Sequence, residues 1–193
     1  LKNRGLTINT TVEYTYSVAM SNGEYDQAAF GEEWVDAPSH QFLMPYDRPH
    51  DFALTLYTSK LPWDINASLT GTYLSGLPYT PLIKRGRDYN EDLKNKYTKR
   101  SPDTKEVNIS FSKDIEMQNY ELKLGLNIFN LFNFSNSIDI YQLTGNSDDP
   151  GEHYTKEIGL PSSGKFLSSA YYDRPWYYGS PTQVNFFIQI NYK

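Results

Sequence analysis

The chain has 193 residues, enough for one domain of ordinary size, with 38% hydrophobic residues, a formal net charge of −5 and no cysteine. The missing cysteine excludes disulfide frameworks, thiol catalysis and cysteine-based metal sites, and the negative charge argues against general nucleic-acid binding. No stretch approaches the roughly 18 apolar residues that a membrane helix needs, but a membrane-spanning β-strand needs an apolar residue only at every second position.

Six segments alternate between apolar and polar residues with a period of two, which predicts β-strands with one apolar and one polar face. The first is residues 5–20, in which Glu13 falls on the polar face. The second is residues 51–59. It is followed by a predicted tight turn around Pro62, because proline cannot donate a hydrogen bond to a sheet.

The third predicted strand, residues 63–74, has Asn66 and Thr70 on its polar face. Its apolar face begins with Trp63 and ends with Tyr73. An aromatic residue at each end of an apolar stripe is typical of strands that cross a membrane between two aromatic bands.

The fourth and fifth predicted strands are residues 105–113 and 120–129. The fifth alternates most regularly, with Glu121, Lys123 and Asn127 on the polar face. The pattern predicts that both strands use one face for an apolar environment and the other for water.

The sixth predicted strand, residues 183–192, alternates in the same way except that Phe187 falls on its polar face. We expect this strand to pair with residues 120–129. The apolar positions that we expect to face lipid include Leu54, Leu69, Ile109, Leu124, Leu126 and Ile188. The positions that we expect to face inward include Asn66, Ser68, Asn108, Asn127 and Gln189.

The connections between these strands alternate between long and short. Residues 60–63 and 114–119 form the short turns, and 21–50, 75–103 and 131–181 form the long loops. All turns of one kind lie at one end of an antiparallel sheet, so outer-membrane barrels have short periplasmic turns and long outer loops. A soluble β-sandwich also alternates apolar and polar residues, but it has no reason to sort its loops by length.

Four segments resemble the C-terminal part of the barrel of TonB-dependent outer-membrane receptors. They are YDRPHDFALTLY at 46–57, SGLPYTP at 75–81, RSPDTKEVNISFSKDI at 100–115 and LGLNIFNLFNFSNSIDIY at 124–141. The resemblance covers about residues 46–144 and the final strand. It implies an all-β fold, an antiparallel transmembrane β-barrel of 22 strands with a plug folded inside.

The resemblance implies that residues 1–193 form the last six strands of such a barrel, without the plug. Six strands would leave two unpaired edges in lipid, so we expect strands from outside this sequence to complete the barrel. The implied function is uptake of a scarce nutrient across the bacterial outer membrane, through binding and gated passage without enzymatic chemistry or a cofactor. The implied substrates are siderophores, cobalamin, saccharides or peptides.

The partners implied are the rest of the barrel, the plug and, through the plug, the TonB system. Membrane lipid, lipopolysaccharide and surface or periplasmic proteins are further partners. The polar residues of the strands would then line the lumen and hydrate the contact with the plug; they are Glu13, Asn66, Thr70, Glu121, Lys123 and Asn127. The alternative is a barrel that serves as a structural or secretion platform without a transported ligand.

The last long loop contains five aromatic residues that are candidate ligand contacts. They are Tyr171, Tyr172, Trp176, Tyr177 and Tyr178. Aromatic rings above a pore can stack on sugars or planar chelates, and they can equally pack the loop onto its neighbours. The sequence leaves both interpretations open.

Charge divides the first two long loops. Residues 21–50 are mainly acidic and residues 75–103 are mainly basic. The two loops could attract each other, the basic loop could contact lipopolysaccharide phosphates, or both could simply be soluble. In the third loop, Asp148, Asp149, Glu152 and His153 could hold a cation, although Asp-Asp-Pro-Gly more simply indicates a turn.

Overall fold

A computed structural model describes residues 5–21, 41–86, 88–151 and 174–192. Within these ranges the protein is an all-β structure of antiparallel sheets. Its strands are β1 (Thr7–Tyr16), β2 (Met20–Ser21), β3 (Phe42–Leu43), β4 (His50–Leu61), β5 (Ile65–Leu74), β6 (Pro78–Tyr79), β7 (Leu82–Arg85), β8 (Asp88–Glu91), β9 (Lys99–Arg100), β10 (Thr104–Glu116), β11 (Tyr120–Phe129) and β12 (Gln183–Tyr192). Short 3-10 helices are formed by Pro62–Asp64, Leu93–Asn95 and Pro175–Tyr177.

Six long strands form one sheet in the order β1-β4-β5-β10-β11-β12, so each strand lies beside the next long strand of the chain. All five pairings are antiparallel. β12 pairs with β11 along its whole length, as the sequence predicts. The sheet is open in the described chain, with β1 and β12 at its two edges.

The structure changes several of the predicted strand boundaries. β4 and β10 extend two and three residues beyond their predicted ends at 59 and 113. The first strand ends at Tyr16, and Met20 belongs to a separate short strand. Trp63 does not begin the third strand, because it lies in the turn Pro62–Asp64 with a φ angle of 65°. The ring of proline fixes its own backbone and prevents continuation of the ladder, so the apolar stripe of β5 begins at Ile65.

The long loops contain short strands where the sequence pattern predicted only loop structure. β2 pairs with β3, β6 with β9, and β7 with β8. These strands are only two to four residues long. That length is too short for a period of two to be recognised against the background of loop residues.

The register of the large sheet joins the apolar residues of all six strands into one continuous face. Leu54 lies opposite Val12 and Gly71, and Leu69 lies opposite Leu56 and Ile109. The same face continues through Ile128, Leu126, Leu124 and their partners Val184, Phe186 and Ile188. The expected lipid-facing residues therefore share one face, and the expected inward-facing residues share the other.

No residue of the six long strands is buried in the described structure. Val12 is 60% exposed, and Phe186 on the opposite edge strand is 79% exposed. The long strands contact the adjacent strands, the turns and parts of the long loops, and no second layer covers the apolar face within the described ranges. Within the described part of the chain, the sheet therefore forms no apolar interior of the kind that two packed sheets enclose.

Phe187, the exception to the alternating pattern, has a structural explanation. It lies directly opposite Gly125 in the β11–β12 ladder. Phe187 is partly buried, whereas every other residue of β12 is exposed. A Cβ atom added to Gly125 would lie 2.1 Å from the phenyl ring. The aromatic ring thus packs over the space that glycine leaves on the polar face.

Candidate functional site

The polar face of the sheet carries all six residues predicted to face the lumen. Cross-strand pairs join Asn66 to Ser112, Thr70 to Asn108 and Asn127 to Ser110. Glu13, Glu121 and Lys123 occupy positions of the same parity in β1 and β11. The structure brings these residues onto one surface, and their contact with a plug stays a prediction.

Side-chain hydrogen bonds connect neighbouring strands across this polar face. Ser110 donates to the side-chain oxygen of Asn127, and the Asn66 amide lies 3.5 Å from an oxygen of Asp114. Lys123 Nζ lies 3.9 Å from the other oxygen of Asp114. A shallow cavity of about 230 Å³ lies above the centre of this face, lined mainly by hydroxyl and amide side chains.

The three long loops leave and re-enter the sheet at one end, which we call the loop end, and the short turns lie at the opposite end, the turn end. At the loop end, an ion pair joins the acidic first loop to the basic second loop. Asp47 is 1% exposed, and its carboxylate lies 2.5 Å from Arg100 Nη2. The other oxygen of the carboxylate accepts a hydrogen bond of 2.6 Å from the backbone N–H of Ala19. Arg100 also donates to the carbonyl oxygens of Asp47 and Gly76, at 3.1 and 3.0 Å. The Asp47–Arg100 ion pair thus joins four chain segments, at residues 19, 47, 76 and 100.

The environment of Asp47 changes its pKa in two opposite ways. Burial raises the pKa because it disfavours the charged form. The hydrogen bond from Ala19 and the hydrogen bond and charge of Arg100 favour the charged form. Their combined effect is larger, so the pKa of Asp47 lies below its usual value.

A second aspartate organises the exit from β5. Asp103 accepts hydrogen bonds from the Tyr73 hydroxyl at 2.7 Å and from the backbone N–H of Gly76 at 3.0 Å. The pKa of Asp103 is lowered, and the hydrogen bond from Tyr73 is the largest cause. Burial raises the pKa, but the Gly76 N–H and the charge of Lys105 lower it further. Gly76 cannot carry a side chain because its Cβ would lie 1.7 Å from the Ser101 carbonyl oxygen.

The Asn-Leu-Phe-Asn corner after β11 is closed by Asn130, which is 4% exposed. Its side-chain oxygen accepts from the backbone N–H of Phe134 at 2.8 Å, and its amide donates to the carbonyl oxygens of Phe134 and Ser180. Thr182 donates to the Asn130 carbonyl at 2.7 Å. Asn130 therefore joins the start of the last long loop to its end.

The predicted aromatic contacts of the last loop take different positions. Trp176 is 69% exposed, whereas Tyr177 is 9% exposed and packs against Tyr141 with ring centroids 5.1 Å apart. The Arg174 guanidinium lies 4.9 and 5.0 Å from these two ring centroids. Tyr178 forms a backbone bridge with Ser137, and Tyr171 and Tyr172 lie outside the described residues. Tyr177 thus packs within the loop.

Two cavities adjoin each other at the loop end. The larger has a volume of about 600 Å³ and the smaller about 400 Å³. Both are lined by Tyr79, Asp139 and Ile140, and we call the pair the Tyr79 cleft. Thr104 and Glu106 line the larger cavity from the strand below, and both belong to the polar face of the sheet. The cleft therefore opens on the polar side of the sheet.

Tyr79 is held in place between the two cavities. Its hydroxyl lies over Gly145, where an added Cβ would approach to 2.2 Å, and Gly145 has a φ angle of +82° that also favours glycine. Burial raises the pKa of the Tyr79 hydroxyl, so the group remains protonated at neutral pH and can donate a hydrogen bond.

The candidate cation cluster is only partly described. Asp149 accepts a hydrogen bond of 2.8 Å from the backbone N–H of Gly151, in agreement with a turn, while Glu152 and His153 lie outside the described residues. Among the residues that the structure describes, no group of three or more His, Asp or Glu side chains could hold a metal ion. The described chain also contains no helix long and apolar enough to cross a membrane.

Comparison of the chain with protein-family models, curated proteins and solved structures found no match. The site must therefore be interpreted from its own residues. The sequence pattern does not mark Tyr79, Arg48, Glu106 or Asp139 as site residues, because their common position depends on four separate segments of the chain. The SGLPYTP segment, which contains Tyr79, resembles barrel strands, and that resemblance implies no ligand contact for Tyr79.

Proposed function

We propose that the six long strands form part of the wall of a transmembrane β-barrel in a bacterial outer membrane. The continuous apolar face supports this proposal most strongly, because no second layer covers it in the described structure while the opposite face is polar. A barrel wall has this arrangement, with lipid on one side and water or a plug on the other.

Strand length and aromatic placement support the same proposal. The six strands have 10 to 13 residues, and a tilted membrane strand needs about 9–11. On the apolar face, Tyr14 and Tyr73 lie beside Phe52 near the loop end. Tyr120 and Tyr192 pair at the turn end, with ring centroids 5.7 Å apart. Two such bands are expected at the two membrane interfaces.

The open edges of the sheet indicate how the wall is completed. β1 and β12 each present an unpaired edge in the described structure, and unpaired backbone groups in lipid cost several kcal/mol each. Both edges therefore require strands that the described chain does not supply. The proposal is that these belong to the rest of a barrel of about 22 strands, which also encloses a plug that contacts TonB.

The function proposed for this barrel is uptake of a scarce nutrient. The polar face would line the passage and contact the plug, and the Tyr79 cleft would lie at the outer entrance. In the rival proposal the barrel is a structural or secretion platform with no transported ligand.

The test is deletion of the gene, followed by growth on limiting ferric siderophore, cobalamin, oligosaccharide or peptide. Uptake predicts a growth defect on one class of nutrient, with the same defect when TonB is removed. Normal growth on every class, together with loss of a surface or secreted protein, would favour the platform.

A further inference from the structure

We propose that the Tyr79 cleft binds a short, uncharged oligosaccharide; this inference rests on the uptake function proposed above and names its substrate class. The larger cavity, about 600 Å³, lies within the range of about 300–1,000 Å³ that is usual for small-molecule sites. The adjoining cavity shares Tyr79, Asp139 and Ile140 with it, so the two cavities together offer room for more than one sugar ring.

Among the lining residues that the structure describes, the charges of the cleft cancel. Arg48 and Arg174 supply two positive charges, and Glu106 and Asp139 supply two negative charges. A ligand with a large net charge would leave some of these groups without compensation. A neutral ligand that both donates and accepts hydrogen bonds can use all four.

The charged groups are held in place by other hydrogen bonds. Arg48 donates to the Ser75 carbonyl at 2.8 Å, and Glu106 accepts from the Asn108 amide at 2.8 Å. Asp139 accepts from the backbone N–H of Ile140 at 2.8 Å. Positions fixed in this way lower the cost of ordering a site when a ligand binds.

Sugar hydroxyl groups match these fixed positions. Each hydroxyl donates one hydrogen bond and accepts others, so it can donate to Asp139 or Glu106 and accept from Arg48. Hydrogen bonds to charged groups are stronger than those between neutral groups. The ring of Tyr79 adds an apolar surface against which the C–H face of a sugar ring can pack.

The inference is tested by calorimetry on the full-length protein in detergent, with maltotriose, cellotriose and xylotriose as probes. Triglycine and ferrichrome represent the competing ligand classes. We expect one of the trisaccharides to bind, and Asp139→Asn and Glu106→Gln each to weaken that binding by about tenfold or more. Tyr79→Ala should weaken it more than Tyr79→Phe, because only the second variant keeps the ring.

Glu116→Gln is the matched control. Glu116 lies on the same strand and the same polar face as Glu106 but at the turn end of the sheet, so its variant should bind as the unchanged protein does. The circular dichroism spectrum of each variant shows whether it has folded. Absence of trisaccharide binding at about 10 mM, binding of triglycine or ferrichrome instead, or equal affinity in all variants would overturn the inference.

The result can be separated from the uptake proposal. Trisaccharide binding in the cleft without a growth defect on that sugar would support the binding inference and contradict uptake of the sugar. A growth defect on ferric siderophore, with no trisaccharide binding, would support uptake and overturn the inference.

Discussion

The six-stranded sheet and the loop end differ in where they place their polar and apolar residues. Every buried residue of the described structure lies outside the six long strands. The buried polar and charged residues all form side-chain hydrogen bonds; they are Asp47, Ser75, Thr80, Asp92, Asn130 and Ser147. The sheet instead exposes large apolar residues such as Val12, Phe186 and Ile188. The loop end thus buries polar groups, whereas the sheet displays apolar ones.

This contrast agrees with the proposed membrane wall, in which the two regions have different surroundings. The loop end satisfies its own polar groups through side-chain and backbone hydrogen bonds, as a structure in water must. The sheet satisfies its backbone through the strand ladders but leaves its apolar face uncovered. Such a face is stable when it contacts lipid, and it would drive aggregation in water.

The largest expected loss of stability comes from a charge on the apolar face of the sheet, and the same charge on the polar face should cost much less. Leu126→Arg places a charge in the middle of the apolar face and should lower the free energy of unfolding in lipid by about 2–4 kcal/mol. Asn127→Arg, one position further on β11, should cost much less because it lies on the polar face. Urea unfolding in lipid vesicles measures both; equal costs would show that the faces do not differ in surroundings.

A somewhat smaller effect should follow at the loop end when Asp47 loses its partner. Arg100→Ala leaves the buried carboxylate of Asp47 without its cation and should lower the free energy of unfolding by about 2 kcal/mol. This is less than the usual cost of breaking a buried ion pair, because the Arg100 side chain is 31% exposed and water can replace it. Proteolysis of the loops measures the effect. Arg48→Ala is the control, since within the described residues Arg48 donates to the backbone carbonyl of Ser75 and to no carboxylate. Greater loop cleavage in that variant would contradict the role of the ion pair.

A smaller effect tests the packing of Phe187 on the polar face. Gly125→Ala should cost about 1 kcal/mol, because the added methyl group forces the tip of the phenyl ring to move. In the Phe187→Ala background the same substitution should cost nothing, since the obstacle is gone. A double-mutant cycle on unfolding free energies gives the coupling, and a coupling of zero would show that the ring does not lie over Gly125.

The smallest effect concerns the pH dependence of the loop end. The pKa values of Asp47 and Asp103 are lowered in the folded protein, so their contribution to stability is present above the ordinary value of 3.8 and is lost as the pH falls through the lowered values. Hydrogen exchange at the N–H groups of Ala19 and Gly76, corrected for the intrinsic rate, should increase below about pH 4. Unchanged protection between pH 5 and 2, or loss of protection above pH 5, would contradict this assignment.

The sequence predicts the sheet well because the relevant signal is local. A period of two places Leu124 and Asn127 on opposite faces without knowledge of any other strand, and the observed register agrees. Trp63 was placed wrongly because its backbone conformation depends on the turn after Pro62. Opposite charges in the first two loops suggested attraction, but nothing in the sequence selects Asp47 and Arg100 as partners across 53 positions.

The Tyr79 cleft could not be predicted because four distant segments form it. Arg48, Tyr79, Glu106 and Asp139 belong to different connections or strands. Each lies in a segment that resembles barrel strands, but the resemblance marks none of them as a site residue. Their proximity follows from the β4-β5-β10-β11 pairing order and from hydrogen bonds such as those of Asn130. The strand pattern predicts the scaffold, while the loop contacts decide the site.

The contact of the apolar face with lipid can be measured directly, because the chain has no cysteine and single-cysteine variants have no background. A fluorescent label placed in turn at residues 122 to 128 of β11 would report quenching by nitroxide lipids in reconstituted vesicles. We predict strong quenching at Leu122, Leu124, Leu126 and Ile128 and weak quenching at Lys123, Gly125 and Asn127. Quenching without this alternation, or stronger at the polar positions, would contradict the membrane wall.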